Sequence, residues 1–274
     1  MFRIYRITIL VLFVAVSAVF AWSFVKEHTG VDNTIPEIKV PEGILEVSLK
    51  AKAEDFLDGV TAYDEKDGDL TDKLLIESVS KFTDVKQGVC RVTFAVCDSD
   101  RHVTSASRKV KFVGYKSPRF TASRSLCYSI YEAIDLTETI GAVDCIEGDL
   151  SSNVIITSTD YESSQAGSYS VLLKLTTTKG DIIEEELPLI VEDRPLNAPT
   201  IELKEYLIYI NKGDTFDPAS YLVSAMDAME QDMTPSVSID SNVKSNKAGV
   251  YTVNYYVTDS LNRTGHSTLT VIVK

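Results

Sequence analysis

One pattern is written three times along this chain, and that repetition limits the fold more than any single residue does. Gly88-Val89-Cys90-Arg91-Val92-Thr93-Phe94 returns as Gly167-Ser168-Tyr169-Ser170-Val171-Leu172-Leu173 and again as Gly249-Val250-Tyr251-Thr252-Val253-Asn254-Tyr255. An acidic signature keeps the same period: Asp64-x-x-Asp67-Gly68-Asp69-Leu70-Thr71, Asp144-x-x-Glu147-Gly148-Asp149-Leu150-Ser151 and Asp227-x-x-Glu230-Gln231-Asp232-Met233-Thr234. Pro36, Pro118 and Pro199 open the copies. Two motifs in one register predict three tandem modules, 36–113, 118–192 and 199–274, rather than a single large domain.

Inside each copy the apolar residues alternate. Cys90, Val92, Phe94 and Val96 face one way, as do Tyr169, Val171, Leu173 and Leu175, and Tyr251, Val253, Tyr255 and Val257. Period two over eight residues is a strand with one buried face. The closing strands read alike, with Val110 and Phe112, then Leu187, Leu189 and Val191, then Leu269, Val271 and Val273 turned inward. Short strands, frequent turn residues and no long amphipathic helix after residue 35 predict an all-β class of two antiparallel sheets packed face to face.

The stretch DGDLT at 67–71, the segment AGVYTVNYYVTDSLNRT at 248–264 and the start Pro199-Thr200-Ile201 resemble the bacterial immunoglobulin-like repeats of surface proteins and pesticidal crystal proteins. The resemblance covers 36–273 and is fullest in the third copy. It implies three tandem Ig-like β-sandwiches, an extracytoplasmic location and a spacer or adhesive role, with no catalytic residues to carry over. The second copy departs from it, having Thr176-Thr177-Thr178-Lys179-Gly180-Asp181 where the others have Cys97-Asp98-Ser99 and Thr258-Asp259-Ser260, which predicts a different last hairpin. The first copy has Cys90 where the others place an aromatic.

Ahead of the repeats, Ile7 to Val25 is apolar except for Thr8, Ser17 and Ser23, and is preceded by Arg3 and Arg6. Nineteen helical residues span about 28 Å, against a hydrocarbon core of about 30 Å. The positive-inside rule then places residues 1–6 as a cytoplasmic tip, 7–25 as a signal-anchor helix, 26–35 as a stalk and everything beyond outside the cell membrane. A cleaved signal peptide is the alternative, since Val19-Phe20-Ala21 supplies small enough side chains for a cut and secretion would follow.

The acidic signatures offer the one recurring metal candidate. Asp64, Asp67 and Asp69, Asp144, Glu147 and Asp149, and Asp227, Glu230 and Asp232 put three carboxylates within six residues, the last two at alternate positions as in Ca²⁺ loops. No Glu follows at the twelfth position of an EF-hand, and Asp and Gly also build turns by themselves, so a structural turn is the expected role and no cofactor is required. A second calcium arrangement would draw on Asp32, Glu192 and Asp193 in the linkers. Cys127 and Cys145 lie in one module and are a possible disulfide outside the cell; small buried thiols are the other reading. His102 and His266 fall in different modules, and no G-x-S-x-G, H-E-x-x-H or P-loop motif occurs, so an enzyme is not expected. The net charge of −13 disfavours nucleic acid.

These features predict a membrane-anchored surface protein that binds a protein or glycan, with a structural stalk or envelope-complex subunit as the alternative. Tyr206, Tyr209 and Tyr221 discriminate between them: an exposed aromatic patch favours binding through the third module, and their burial favours lateral packing.

Overall fold

The computed structural model describes residues 2–29 and 34–274; Met1 and residues 30–33, with Asp32 of the linker set among them, lie outside the described residues. Helix α1 runs Phe2–Thr29. Its stretch Arg6–Val25 has a mean hydropathy of 2.4 and no buried side chain. By length and composition it can cross a bilayer.

Twenty strands follow. In the first copy they are β1 (Glu37–Lys39), β2 (Ile44–Val47), β3 (Thr61–Asp64), β4 (Gly68–Asp69), β5 (Leu75–Val79), β6 (Val89–Cys97) and β7 (Val103–Phe112). The second has β8 (Arg119–Ala122), β9 (Cys127–Ser129), β10 (Ile140–Asp144), β11 (Gly148–Asp149), β12 (Ile155–Thr159), β13 (Gly167–Thr176) and β14 (Ile182–Glu192). The third has β15 (Thr200–Leu203), β16 (Leu207–Ile210), β17 (Leu222–Met226), β18 (Ser238–Ser241), β19 (Gly249–Thr258) and β20 (Thr264–Val273). The sheets are β1-β3-β4 with β2-β7-β6-β5, β11-β10-β8 with β12-β13-β14-β9, and β15-β17 with β16-β20-β19-β18. Each copy therefore sends its first strand to the small sheet and its second to the four-stranded one. In the second and third copies the second strand pairs in parallel, β9 with β14 and β16 with β20. The architecture is all-β and sandwich-like, as the alternation predicts.

The chain divides into two compact units. The first comprises 1–47, 51–80 and 90–111, and the second 48–50, 81–89 and 112–274. In the first, Val92, Phe94 and Val96 are buried, as is Ala62 on β3 of the small sheet. In the second, Val171, Leu173, Leu175, Leu187 and Leu189 form one core, which also takes in Leu207 and Ile272 from the third copy. A further core holds Val253, Tyr255, Val257, Leu269 and Val271.

The acidic signature acquires a physical meaning here. In every copy a small-sheet alanine, Ala62, Ala142 or Ala225, is buried, and its backbone closes the turn that follows. Its carbonyl accepts the N–H of Leu70, Leu150 or Met233. Its own N–H donates to the hydroxyl of Thr71, Ser151 or Thr234 at 2.9–3.2 Å. The Thr or Ser ending the signature is thus a backbone acceptor, and the Leu or Met before it lies against the core.

Two expectations need correction. The last hairpin of the second copy keeps the backbone of the others: Thr177 N–H donates to Asp181 O as Asp98 does to His102 and Asp259 to Arg263. Thr177 Oγ1 accepts from Asp181 N–H at 3.0 Å, replacing the carboxylates of Asp98 and Asp259, and Gly180 takes the left-handed position held by Arg101 and Asn262. The second correction concerns β20, which is buried on both faces from Gly265 to Val273. Its outward residues His266, Thr268, Thr270 and Ile272 are all buried; Thr268 N–H donates to Ser125 Oγ of the second copy at 2.8 Å, and Ile272 joins that copy's core.

Candidate functional site

Most of the acids in the three signatures accept backbone N–H groups. Asp64 Oδ1 accepts the N–H groups of Lys66 and Asp67, Asp144 Oδ1 those of Ile146 and Glu147, and Asp227 Oδ1 those of Met229 and Gln231. The final acids Asp69, Asp149 and Asp232 each accept the N–H two residues on at 2.9 Å, at the first residue of a 3₁₀ turn. Bonds from the hydroxyls and then the amides of Thr71, Ser151 and Thr234 hold these three carboxyls below the usual range. The middle acids diverge. Asp67 takes the amide and hydroxyl of Ser99, Glu147 takes the amides of Thr178 and Lys179, and Glu230 adopts a left-handed backbone with φ 61°. In the third copy the left-handed residue has moved one place from the position of Gly68 and Gly148, which accounts for the absence of glycine at Gln231.

Carboxylates already accepting backbone N–H groups act as turn caps, so millimolar Ca²⁺ is expected to leave the melting temperature of the full chain unchanged. A ligand confined to the folded state at 100 times its dissociation constant would add about 2.7 kcal/mol, a shift calorimetry detects easily. Asp144→Ala, by contrast, removes a buried acceptor of two N–H groups and should cost about 1–2 kcal/mol. Stabilisation by Ca²⁺ that disappears in Asp144→Ala would make these acids metal ligands.

All four cysteines are free thiols. Cys145 is exposed, with Sγ 3.3 Å from the Lys116 carbonyl oxygen. Cys127 is buried on β9, with Sγ 3.2 Å from His266 Nδ1. The structure therefore gives the two cysteines proposed as a disulfide separate partners and separate environments. Tyr206, Tyr209 and Tyr221 are half-buried and make no open patch. The hydroxyl of Tyr206 accepts from Leu203 N–H and that of Tyr209 from Phe120 N–H, while Tyr221 packs with Phe216 against the third core.

Among the described residues, one group of metal-capable side chains converges: Cys127, Glu192 and His266. Cys127 comes from β9, Glu192 from the end of β14 and His266 from β20. The imidazole is stacked on Tyr256 with centroids 4.2 Å apart, and its Nε2 lies 3.2 Å from Asn254 Oδ1. Its Nδ1 sits 2.7 Å from Glu192 Oε1. Arg194 approaches Glu192 at 3.9 Å and Glu132 at 3.8 Å, and donates to the His266 carbonyl oxygen. Burial pushes the Cys127 thiol up to about 12, and the Glu192 charge adds to the effect. Burial also raises Glu192, but the hydrogen bond and charge of His266 and the charge of Arg194 outweigh it and hold the carboxyl low. A cleft lined by Ser125, Ser129, Glu132 and Ser267 leads to the group. No spacing motif announces this convergence, since its members are 65 and 74 residues apart.

Residues 201–273 match the family model described as bacterial surface protein, Ig-like domain. The pesticidal crystal protein Cry22Aa of Bacillus thuringiensis is 28% identical over 223 residues, which is 78% of this chain and 30% of that protein. An 81.3 kDa protein of Acholeplasma phage L2 is 22% identical over 84% of this chain and 32% of its own length. The chain thus spans about a third of the length of these relatives. Solved structures overlay it only loosely. The M60 catalytic domain with CBM51-1 and CBM51-2 from Clostridium perfringens ZmpB is 15% identical over 89% of this chain and 31% of that one, at a TM-score of 0.24. Human CDH23 EC21-23 is 17% identical over 87% of this chain and 100% of that one, at 0.23. The match falls on β15–β20, and over residues 201–273 this chain carries a domain of the bacterial surface protein Ig-like family.

Proposed function

We propose that the chain is a membrane-tethered, extracytoplasmic surface protein whose Ig-like modules, 36–113, 118–192 and 199–274, form a non-catalytic adhesive scaffold for protein or glycan partners. The observation that carries this reading is the pairing of an apolar helix, Arg6–Val25, having no buried side chain, with a surface-type Ig-like domain in one chain. An apolar surface of that extent is stable only against lipid or another apolar partner. Arg6 at its amino-terminal edge favours a cytoplasmic tip and exported modules.

That Tyr206, Tyr209 and Tyr221 are half-buried and form no open patch favours a second reading, a structural stalk or envelope-complex subunit that packs laterally. Any ligand of the third module would then meet its loops rather than an aromatic platform.

The test is to shave intact cells with protease and sequence peptides from the membrane fraction. Peptides of the modules should be released from outside, and a peptide joining Trp22 to Phe24 and Val25 should remain with the membrane. A mature amino terminus at Trp22 in the medium would remove the tether and leave a secreted module.

A further inference from the structure

Cys127, Glu192 and His266 meet at one point from strands of two sheet pairs, with their ligand atoms within 4.8 Å of one another. The imidazole is held in place: Tyr256 covers one face and Asn254 Oδ1, which also accepts from Thr268 Oγ1, faces Nε2. That leaves Nδ1 turned toward Cys127 Sγ at 3.2 Å and Glu192 Oε1 at 2.7 Å. Metal-bound histidines are oriented in this manner, one nitrogen toward the ion and the other donating to an oxygen behind it. We propose that Cys127, Glu192 and His266 bind a divalent transition-metal ion of the zinc class, which clasps the second sheet pair to the third.

The donor chemistry selects the ion. Thiolate and imidazole suit zinc and its neighbours, whereas calcium and magnesium take oxygen ligands. Tetrahedral zinc, with bonds of about 2.3 Å to sulfur and about 2.0 Å to nitrogen and oxygen, places sulfur about 3.6 Å from nitrogen and nitrogen about 3.3 Å from oxygen. The sulfur and nitrogen are already close to that separation. The nitrogen and oxygen must part by about half an ångström to reach it, and Glu192, with a third of its side chain exposed, has room to swing. As the metal–sulfur bond forms, the Cys127 proton leaves to solvent, and thiolate and carboxylate together balance the two charges of the ion. Arg194 remains beside Glu132. Cys127 and His266 border the cleft, where Ser267 is buried and its hydroxyl has no protein partner.

The reduced, metal-stripped full chain in detergent should be titrated with Co²⁺ and then Zn²⁺. One equivalent of Co²⁺ should produce a thiolate-to-cobalt charge-transfer band and the intense visible bands of a tetrahedral site, and one equivalent of Zn²⁺ should erase both. Cys127→Ser should abolish the charge-transfer band, while Cys97→Ser and Cys145→Ser keep it. Asn254→Ala, which removes the contact that positions the imidazole together with the acceptor of Thr268 Oγ1, should retain the band and weaken binding by about 10- to 100-fold. If Cys127→Ser fails to fold, Glu192→Gln decides the question, because loss of a ligand at the cleft edge must weaken cobalt binding at least about 10-fold. No charge-transfer band in the folded wild type, a band that survives Cys127→Ser, or unchanged affinity in Glu192→Gln would each overturn the proposal.

Discussion

Val253→Asp is expected to lower the melting transition of the 112–274 unit by roughly 10 °C or more, measured by calorimetry on the full chain. Val253 is fully buried on β19, among Tyr255, Leu269 and Val271. A carboxylate there would lose its hydration and meet no donor, at a cost of about 4 kcal/mol or more. The surrounding core is small, so that cost is a large share of the stability of an ordinary domain. The chain tolerates an acid one strand away, but on the other face: Asp240 is exposed and paired in register with Asn254. An unfolding profile superimposable on wild type would mean that the inward face of β19 has been assigned wrongly.

That face is legible in the residues because period two leaves little choice. Val92, Phe94 and Val96, Val171, Leu173 and Leu175, and Val253, Tyr255 and Val257 are all buried. The same rule weakens at strand ends. Tyr169 and Tyr251 follow the alternation, yet they are only half-buried, because their hydroxyls reach back to the carbonyl oxygens of Gln165 and Lys247 in the preceding loop. The acidic signature is visible as a repeat, but the acids draw attention away from the buried alanine and the hydroxyl that close the turn. What period two does not reveal is a second covering layer. His266, Thr268 and Thr270 read as a solvent face of β20, yet they are buried, with His266 and Thr268 against Cys127 and Ser125 of the second copy. The Cys127, Glu192 and His266 group lies in that covered layer. Its residues come from separate strands and obey no local spacing, so only the packing of one sandwich on the next brings them together.

Gly265→Ala should be among the most damaging small changes in the chain, because β20 meets the start of its own copy at close range. A β-carbon built at Gly265 would sit 2.0 Å from the Pro199 carbonyl oxygen and 2.8 Å from its carbonyl carbon. Both are backbone atoms, so no side chain can rotate away. Gly265 is fixed in register opposite Val257, and Pro199 leads directly into β15, which is tied to β17. Relief therefore requires the linker and the start of β20 to separate, carrying His266 with them. Overpacking of this kind costs about 3 kcal/mol or more, a fall of roughly 10 °C in Tm for a unit of this size. Gly148 provides the contrast. It has a left-handed backbone with φ 79° and open space around its missing β-carbon, so Gly148→Ala incurs only the conformational cost of about 1–2 kcal/mol. The two variants separate steric approach from backbone strain, and Gly265→Ala should melt well below Gly148→Ala. The opposite order would show that the segment entering β15 yields freely and is not held to β20 by close backbone contact at Pro199.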